Sequence, residues 1–264
     1  MEFKFRHLTF EVKEDRVFLT RFGDIESSNE TNFVEINVAG SFRRTHMGVK
    51  MGLSSEWNKL KYISHEISEN KLSVVQESEL IRVKSVFEGY DSTNTIRVHN
   101  EVTNIAKEDI VLEEVSSLVL SGIGGYGLFK TSHLYFTNFL QSHHCECQPR
   151  KLSFADRGLF EVEVPSHSPS QRKISFANVG SWSTKEELPQ GIIEDADKKS
   201  FLMFQIESNN SWYYEISDRV GEIYLYLGGG NYPYTGWAKK LAPNESYVTY
   251  NVAVSLGDSE NSIT

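Results

Sequence analysis

Cysteine is almost missing from this chain: Cys145 and Cys147 are the only two in 264 residues. As i, i+2 neighbours on a strand their side chains would run parallel rather than converge, a geometry that rarely closes a disulfide. A reducing compartment fits, and the expected location is cytoplasmic. The opening run Met1-Glu2-Phe3-Lys4-Phe5-Arg6 alternates charged and apolar residues where a secretory signal would carry an unbroken apolar stretch. The Asn-x-Ser/Thr triplets at Asn29, Asn209 and Asn244 are therefore read as chance matches. No apolar run approaches the roughly 20 residues that span a bilayer, so no membrane partner is expected. Positive charge is short as well. Lys and Arg total 27 against 36 Asp and Glu, a net charge of −9, which opposes the clustered basic surface that a phosphate backbone requires. Helical periodicity is the last absence, since no stretch of a dozen residues keeps apolar positions at i, i+3, i+4 and i+7 between caps.

What remains is a chain rich enough for a core, 39% hydrophobic and 12% aromatic, with 24% charged residues, a composition that excludes a disordered tail, a collagen repeat or a membrane bundle. Most of it alternates with a period of two. Phe3-Lys4-Phe5-Arg6, Leu8–Val12 and Arg16–Thr20 put apolar and polar residues on opposite faces. Further strands are expected at Phe33–Val38, Lys59–Ile67, Lys71–Ser78, Ile81–Glu88, Thr95–Asn104, Ile110–Leu120, His133–Leu140, Lys173–Ala177, Phe201–Ser208, Trp212–Ser217, Glu222–Leu227 and Tyr247–Val254. That is too many for one open sheet, so the strands must pack on each other. The expected fold is all-β: a large antiparallel two-sheet β-sandwich with little helix. Loops are marked at Glu26–Glu30, Pro165–Ser170 and Gly228–Pro233, none long enough to link two domains. One domain over residues 1–257, followed by a frayed polar tail over 258–264, is the expected organisation.

Several clusters could carry chemistry. His143-His144-Cys145-Glu146-Cys147 would place His143, Cys145 and Cys147 on one strand face, three possible ligands for zinc. Structural zinc, however, takes ligands from turns with wider spacing, and nothing nearby supplies a fourth; the plainer expectation is a strand edge with buried thiols. A cysteine nucleophile would need a histidine base and an orienting carboxylate converging on it, which sequence adjacency does not provide. Gly122-Ile123-Gly124-Gly125-Tyr126-Gly127 looks like a phosphate loop, yet no helix pattern follows, so a turn between strands is expected. No cofactor and no metal are called for. Aromatic residues gather late, at Trp182, Trp212, Tyr213, Tyr214, Tyr232, Tyr234 and Trp237; flat rings near polar loops suit sugars, although core packing is expected for most of them.

The run Ile174–Gly191, with Phe176-Ala177-Asn178-Val179-Gly180-Ser181-Trp182-Ser183-Thr184-Lys185-Glu186-Glu187-Leu188 at its centre and Glu194-Asp195 after it, resembles the N-terminal domain of α-galactosidases of glycoside hydrolase family 36. Phe204–Ile216, with Gln205-Ile206-Glu207 before Asn209-Asn210-Ser211-Trp212, extends the likeness. So do Phe33–Gly40 leading to His46, Gly48 and Lys50, then Leu60–His65, and finally Leu241–Tyr247. Five segments agree in order and spacing over most of the chain.

The resemblance implies a β-supersandwich that precedes a catalytic (β/α)₈ barrel and packs against its active-site side. The nucleophile and acid/base of a retaining mechanism are then barrel residues, so no catalytic residue is expected within 1–264. The implied role is non-catalytic: to shape the pocket for terminal α-linked galactose in oligosaccharides and to help assemble a homo-oligomer. Arg43, Arg44, His46, His143, Glu146 and Trp182 are the residues placed nearest the pocket rim. Two departures stand out. His143 follows Ser142 where relatives carry a tryptophan, and Arg43-Arg44-Thr45 replaces acidic residues before His46. A free-standing carbohydrate-binding module with Trp182, Trp212, Tyr232 and Trp237 as its platform is the alternative.

Overall fold

A computed structural model describes all residues except 29, 42–48, 92, 163–171 and 259–264. The short-period pattern becomes strand after strand, 60% of the chain against 2% helix. β1 (Glu2–Phe5), β2 (Leu8–Lys13), β3 (Arg16–Phe22) and β4 (Ile25–Glu26) form a meander in that order. There follow β5 (Ile36–Val38), β6 (Lys61–Ile67), β7 (Lys71–Glu77), β8 (Ile81–Gly89), β9 (Thr95–Asn104) and β10 (Ile110–Tyr126). The middle of the chain gives β11 (Phe129–Lys130), β12 (Leu134–Ser142), β13 (Cys145–Ser153), β14 (Glu161–Val162), β15 (Lys173–Asn178) and β16 (Glu187–Asp195). The last part gives β17 (Ser200–Ile206), β18 (Trp212–Arg219), β19 (Glu222–Gly229), β20 (Lys239–Leu241), β21 (Ser246–Val248) and β22 (Val252–Gly257), with one short helix, α1 (Tyr232–Thr235).

Two sheets build the sandwich. The larger runs β13-β12-β16-β17-β22-β9-β8-β7-β6, with β21 paired beside β9; the smaller runs β15-β18-β19-β10-β20, with β5 on β10. Every pairing is antiparallel, as half-buried alternating strands require. Phe136 and Phe204 of the larger sheet meet Tyr214 of the smaller at ring-centroid separations of 6.0 and 5.0 Å, both edge-to-face, the geometry that ring quadrupoles favour. The β1–β4 meander caps the far end of this core, where Phe10 packs edge-on against Phe33 and Phe87.

Strands β18 and β19 are buried along their whole length, unlike a sheet with one wet face. Trp212, Tyr214 and Ile216 point into the main core, while Tyr213 joins Met51, Tyr224 and Tyr226 in a second cluster on the opposite face. The segment running through residues 49–57 covers that face. Met51 N–H donates to Glu215 Oε1 at 3.0 Å, Lys50 Nζ bonds Asp218 Oδ1 at 2.9 Å, and Arg219 pairs with Glu35 and donates to the carbonyls of Gly52 and Asn32. Buried charges are tolerated here because each finds a counter-charge or a backbone partner.

The strand expectations hold for most of the chain, with five corrections. Gly122–Tyr126 is the end of β10, continuing its pairing with β19 through register shifts, and is no turn. Of Phe33–Val38 only Ile36–Val38 is strand, and Tyr247–Val254 divides into β21 and β22 around residues 249–251. Gly228 and Gly229 belong to β19, so the loop begins at Gly230. β13 and β16, unforeseen as strands, form the edge and third positions of the larger sheet.

Candidate functional site

Three of the residues that the resemblance singles out, His143, Glu146 and Trp182, stand on segments that meet at one end of the larger sheet. β12 and β13 are joined by a two-residue turn, His143-His144, across which Ser142 pairs with Cys145. His144 takes φ of 65°, the left-handed conformation that the second position of such a turn needs. Glu146 fastens the turn, its Oε1 accepting from His144 N–H at 3.1 Å. Between the Leu140–Gln148 and Ser142–Cys145 pairs β13 carries one residue more than β12, a bulge with Cys147 at φ 51° and its N–H on Gln141 Oε1 at 2.9 Å.

That bulge corrects two expectations. His143 stands in the turn and the alternation between Cys145 and Cys147 is broken, so the three residues do not share a strand face. Both thiols are free and exposed rather than buried. Among the described residues no three His, Cys, Asp or Glu side chains are grouped to hold a metal ion.

Trp182 lies on the loop between β15 and β16, beside the same sheet end: Leu140 pairs with Glu187, and Gln141 N–H donates to Glu186 O at 2.8 Å. The loop is pinned from several directions. Trp212 Nε1 donates to Ser183 O at 2.7 Å, Asn178 Nδ2 to Gly180 O at 3.0 Å, and Gly180 N–H to Ser211 Oγ at 3.0 Å. On this anchored loop Trp182 itself is 67% exposed, an indole presented to solvent by a fixed base.

Beneath the turn and the loop lies a polar cluster that the sequence reading missed. Asn138 is buried and donates from Nδ2 to Glu187 Oε2 at 2.8 Å, while its Oδ1 accepts from Arg157. The Arg157 guanidinium also lies over the Phe136 ring, 5.1 Å from its centroid, and donates to Arg150 O at 3.3 Å. Burial raises the Glu187 carboxyl above its usual value, opposed by the bond from Asn138 and by Arg157. The Tyr214 hydroxyl, next to these groups, is raised well above an ordinary phenol, by burial first and then by the Glu187 charge. A signal was present, since Asn138 follows Leu134 and Phe136 in register and so falls on the core face of its strand.

His143, Glu146 and Trp182 thus stand on a turn and a loop that meet at the same sheet end. Arg43, Arg44 and His46 lie outside the described residues. The four-ring platform does not form: Trp212 is a core residue stacked on Tyr214, Trp237 is partly buried against Tyr247, and only Trp182 and Tyr232 are exposed.

No family model matches the sequence. Solved structures do. The galactosidase domain of the α-galactosidase-sucrose kinase AgaSK aligns over 97% of this chain and 40% of its own, with a TM-score of 0.68 at 13% identity. The GH36 α-galactosidase AgaA from Geobacillus stearothermophilus aligns over 98% of this chain and 40% of its own, at 0.67 and 11%. An α-galactosidase from Lactobacillus brevis gives 97% and 39%, at 0.64 and 10%. The chain has the fold of the N-terminal part of GH36 α-galactosidases. At this identity the likeness is one of fold. The chain spans about two-fifths of the length of the GH36 structures it matches, and nearly all of it lies inside the matched region.

Proposed function

We propose that this chain is the non-catalytic sandwich domain, residues 1–257, of an α-galactosidase-like retaining glycoside hydrolase of the cytoplasm, and that it works beside a catalytic barrel in a homo-oligomer. The observation that carries the reading is the fold match over nearly the whole chain to about two-fifths of α-galactosidases. AgaA variants have been solved with raffinose and with stachyose, which points to α-galactoside oligosaccharides as the substrate class. The rim supports the same reading. A solvent-facing indole on a pinned loop can stack on the apolar face of a sugar ring, and His143 and Glu146 beside it supply polar contacts. Arg43, Arg44 and His46 complete the proposed rim. Retaining hydrolysis needs two carboxyl groups about 5–5.5 Å apart across the scissile bond, a pair this reading assigns to the barrel.

Two measurements test it. The purified chain is expected to release nothing from an aryl α-galactoside or raffinose; turnover that survives repurification and is abolished by one substitution in this chain overturns the non-catalytic role. In the parent enzyme, Trp182→Ala and His143→Ala are expected to raise KM for raffinose severalfold with kcat little changed. Unchanged KM in both removes the rim assignment.

A further inference from the structure

In an antiparallel sandwich the outward face of each sheet meets water and carries the polar half of the alternation. The larger sheet keeps this rule over only half its width. On β7, β8 and β9 the register lines up Lys71, Glu88 and Arg97, then Lys84 and Glu101, on the outward side. On β12, β16, β17 and β22 it lines up Thr137, Ile192, Met203 and Ser255, and beside them Tyr135, Glu194 and Phe201. The row between these two, Phe136, Ile193, Leu202 and Leu256, fills the core, so both rows point away from it. Ile192 is 7% exposed yet belongs to neither core cluster, and Tyr135, Phe201 and Met203 remain partly open to solvent.

Among the described outward positions of this half, β13 included, the charged residues are Lys151 and Glu194. They form an ion pair with each other, and the Lys151 ammonium also lies 5.4 Å from the centroid of the Tyr135 ring. Charge decides what such a face accepts. The chain carries a net charge of −9, so two copies repel over most of their surfaces. This face is neutral, and its two charges differ in sign. A two-fold axis that sets two such faces together brings Lys151 of one copy to Glu194 of the second, and the reverse, without opposing like charges. By strand spacing and rise, five strands and three outward rows cover on the order of 500 Å². A face-to-face pair then buries about 1,000 Å², where specific interfaces begin. Apolar sheet faces interdigitate in this way inside every sandwich.

We propose that two copies of this chain pair face to face through the outward side of β12, β16 and β17, with Ile192 and Met203 central and the Lys151 and Glu194 charges exchanged across the two-fold axis. The proposal gives an interface to the homo-oligomer of the proposed function and rests on that part of the reading alone.

Sedimentation velocity of the purified chain from about 1 μM to about 1 mM tests it, with a monomer–dimer equilibrium expected at a dissociation constant of about 10–100 μM. Lys151→Glu leaves two acids on each face and Glu194→Lys leaves two lysines, so each variant alone should dimerise at least about tenfold more weakly. Their equimolar mixture should recover a dimer about as tight as the wild type, which a purely intramolecular ion pair would not produce. Met203→Glu, which sets an unpaired charge at the centre, should weaken dimerisation about tenfold as well and carries the test if either charge variant fails to fold. A chain that stays monomeric up to about 1 mM overturns the proposal, as does a mixture no tighter than its components. A dimer indifferent to all three variants overturns this interface and leaves the homo-oligomer standing. A parent enzyme that stays monomeric while the chain alone dimerises assigns the face to the barrel and overturns the second copy as its occupant. Failure of the α-galactosidase part of the reading shows in hydrolysis assays and leaves these measurements intact.

Discussion

The indole of Trp212 donates to the Ser183 carbonyl at 2.7 Å, so a fully buried ring holds the loop on which the exposed Trp182 stands. The core thus holds this loop through the Trp212 bond, with the bonds of Asn178 and Ser211 beside it. Trp212→Phe keeps an aromatic ring against Tyr214 but removes the donor and part of the volume. The expected cost is about 2–3 kcal/mol, roughly 1 from the hydrogen bond and the rest from the smaller ring. Denaturant unfolding measures the cost. Hydrogen exchange at the Gly180 amide, which donates to Ser211 Oγ, reports the loop; an unaltered exchange rate would show that Trp212 does not fix it.

Gly122 tests the strand that the sequence reading took for a turn. Its φ is 93°, and a Cβ there would lie 2.2 Å from the Glu26 carbonyl oxygen and 2.8 Å from Ser27 N, both backbone atoms that cannot rotate away. Gly125 has φ of 127° with nothing within 4 Å of the same position. Gly122→Ala is expected to cost at least about 3 kcal/mol and Gly125→Ala about 1–2, from backbone conformation alone. Equal losses in thermal unfolding would refute the close approach of β10 to the β4 end.

Those glycines also mark how far the sequence could be read. Alternation located most strands because each apolar face had one buried side to fill, and Thr95–Asn104 appears with the same bounds in sequence and structure. Alternation located β18 and β19 too, although its premise does not describe them: they are buried on both faces, one in the main core and the other under the segment around Met51, a cover whose position depends on Lys50–Asp218 and Glu35–Arg219, pairs separated by well over a hundred residues. β13 is so exposed that it carries almost no apolar signal, with Pro149 and Arg150 on an unpaired edge where such residues discourage further pairing. His143, Glu146 and Trp182 stand on segments that meet at one end of the larger sheet, whereas the Asn138–Glu187–Arg157 cluster beside them arises from register between strands, its one local trace being Asn138 on the same strand face as Leu134 and Phe136.

The Glu35–Arg219 pair gives a third prediction. Arg219 is 2% exposed and Glu35 not at all, and the guanidinium also reaches Ser121 Oγ and two backbone carbonyls. Arg219→Met strands a buried carboxylate and should cost about 3–5 kcal/mol in urea unfolding. Adding Glu35→Gln removes the stranded charge and should recover part of that loss. A double variant that loses the full sum of the two single effects would mean the pair is not coupled.

His99 sets a pH dependence of known sign. It lies on β9 opposite Val86, half-buried, with Asn251 as a hydrogen-bond partner and Glu88, Lys71 and Arg97 as the nearest charges. Burial lowers its imidazole below the ordinary 6.5; Lys71 and Arg97 push the same way, while Asn251 and Glu88 oppose it. In the unfolded chain the ring protonates as pH falls through 6.5, whereas the folded state still resists the proton. The unfolded state therefore binds more protons in that window, and stability must fall as pH drops from 6.5 toward the lowered folded value, then level off below it. His99→Gln keeps a side chain able to bond Asn251 and removes the titration. Urea midpoints measured from about pH 8 to about pH 5 should decline less steeply in the variant than in the wild type, with the two curves parting below pH 6.5. Parallel curves over that range would place the acid sensitivity of this fold elsewhere.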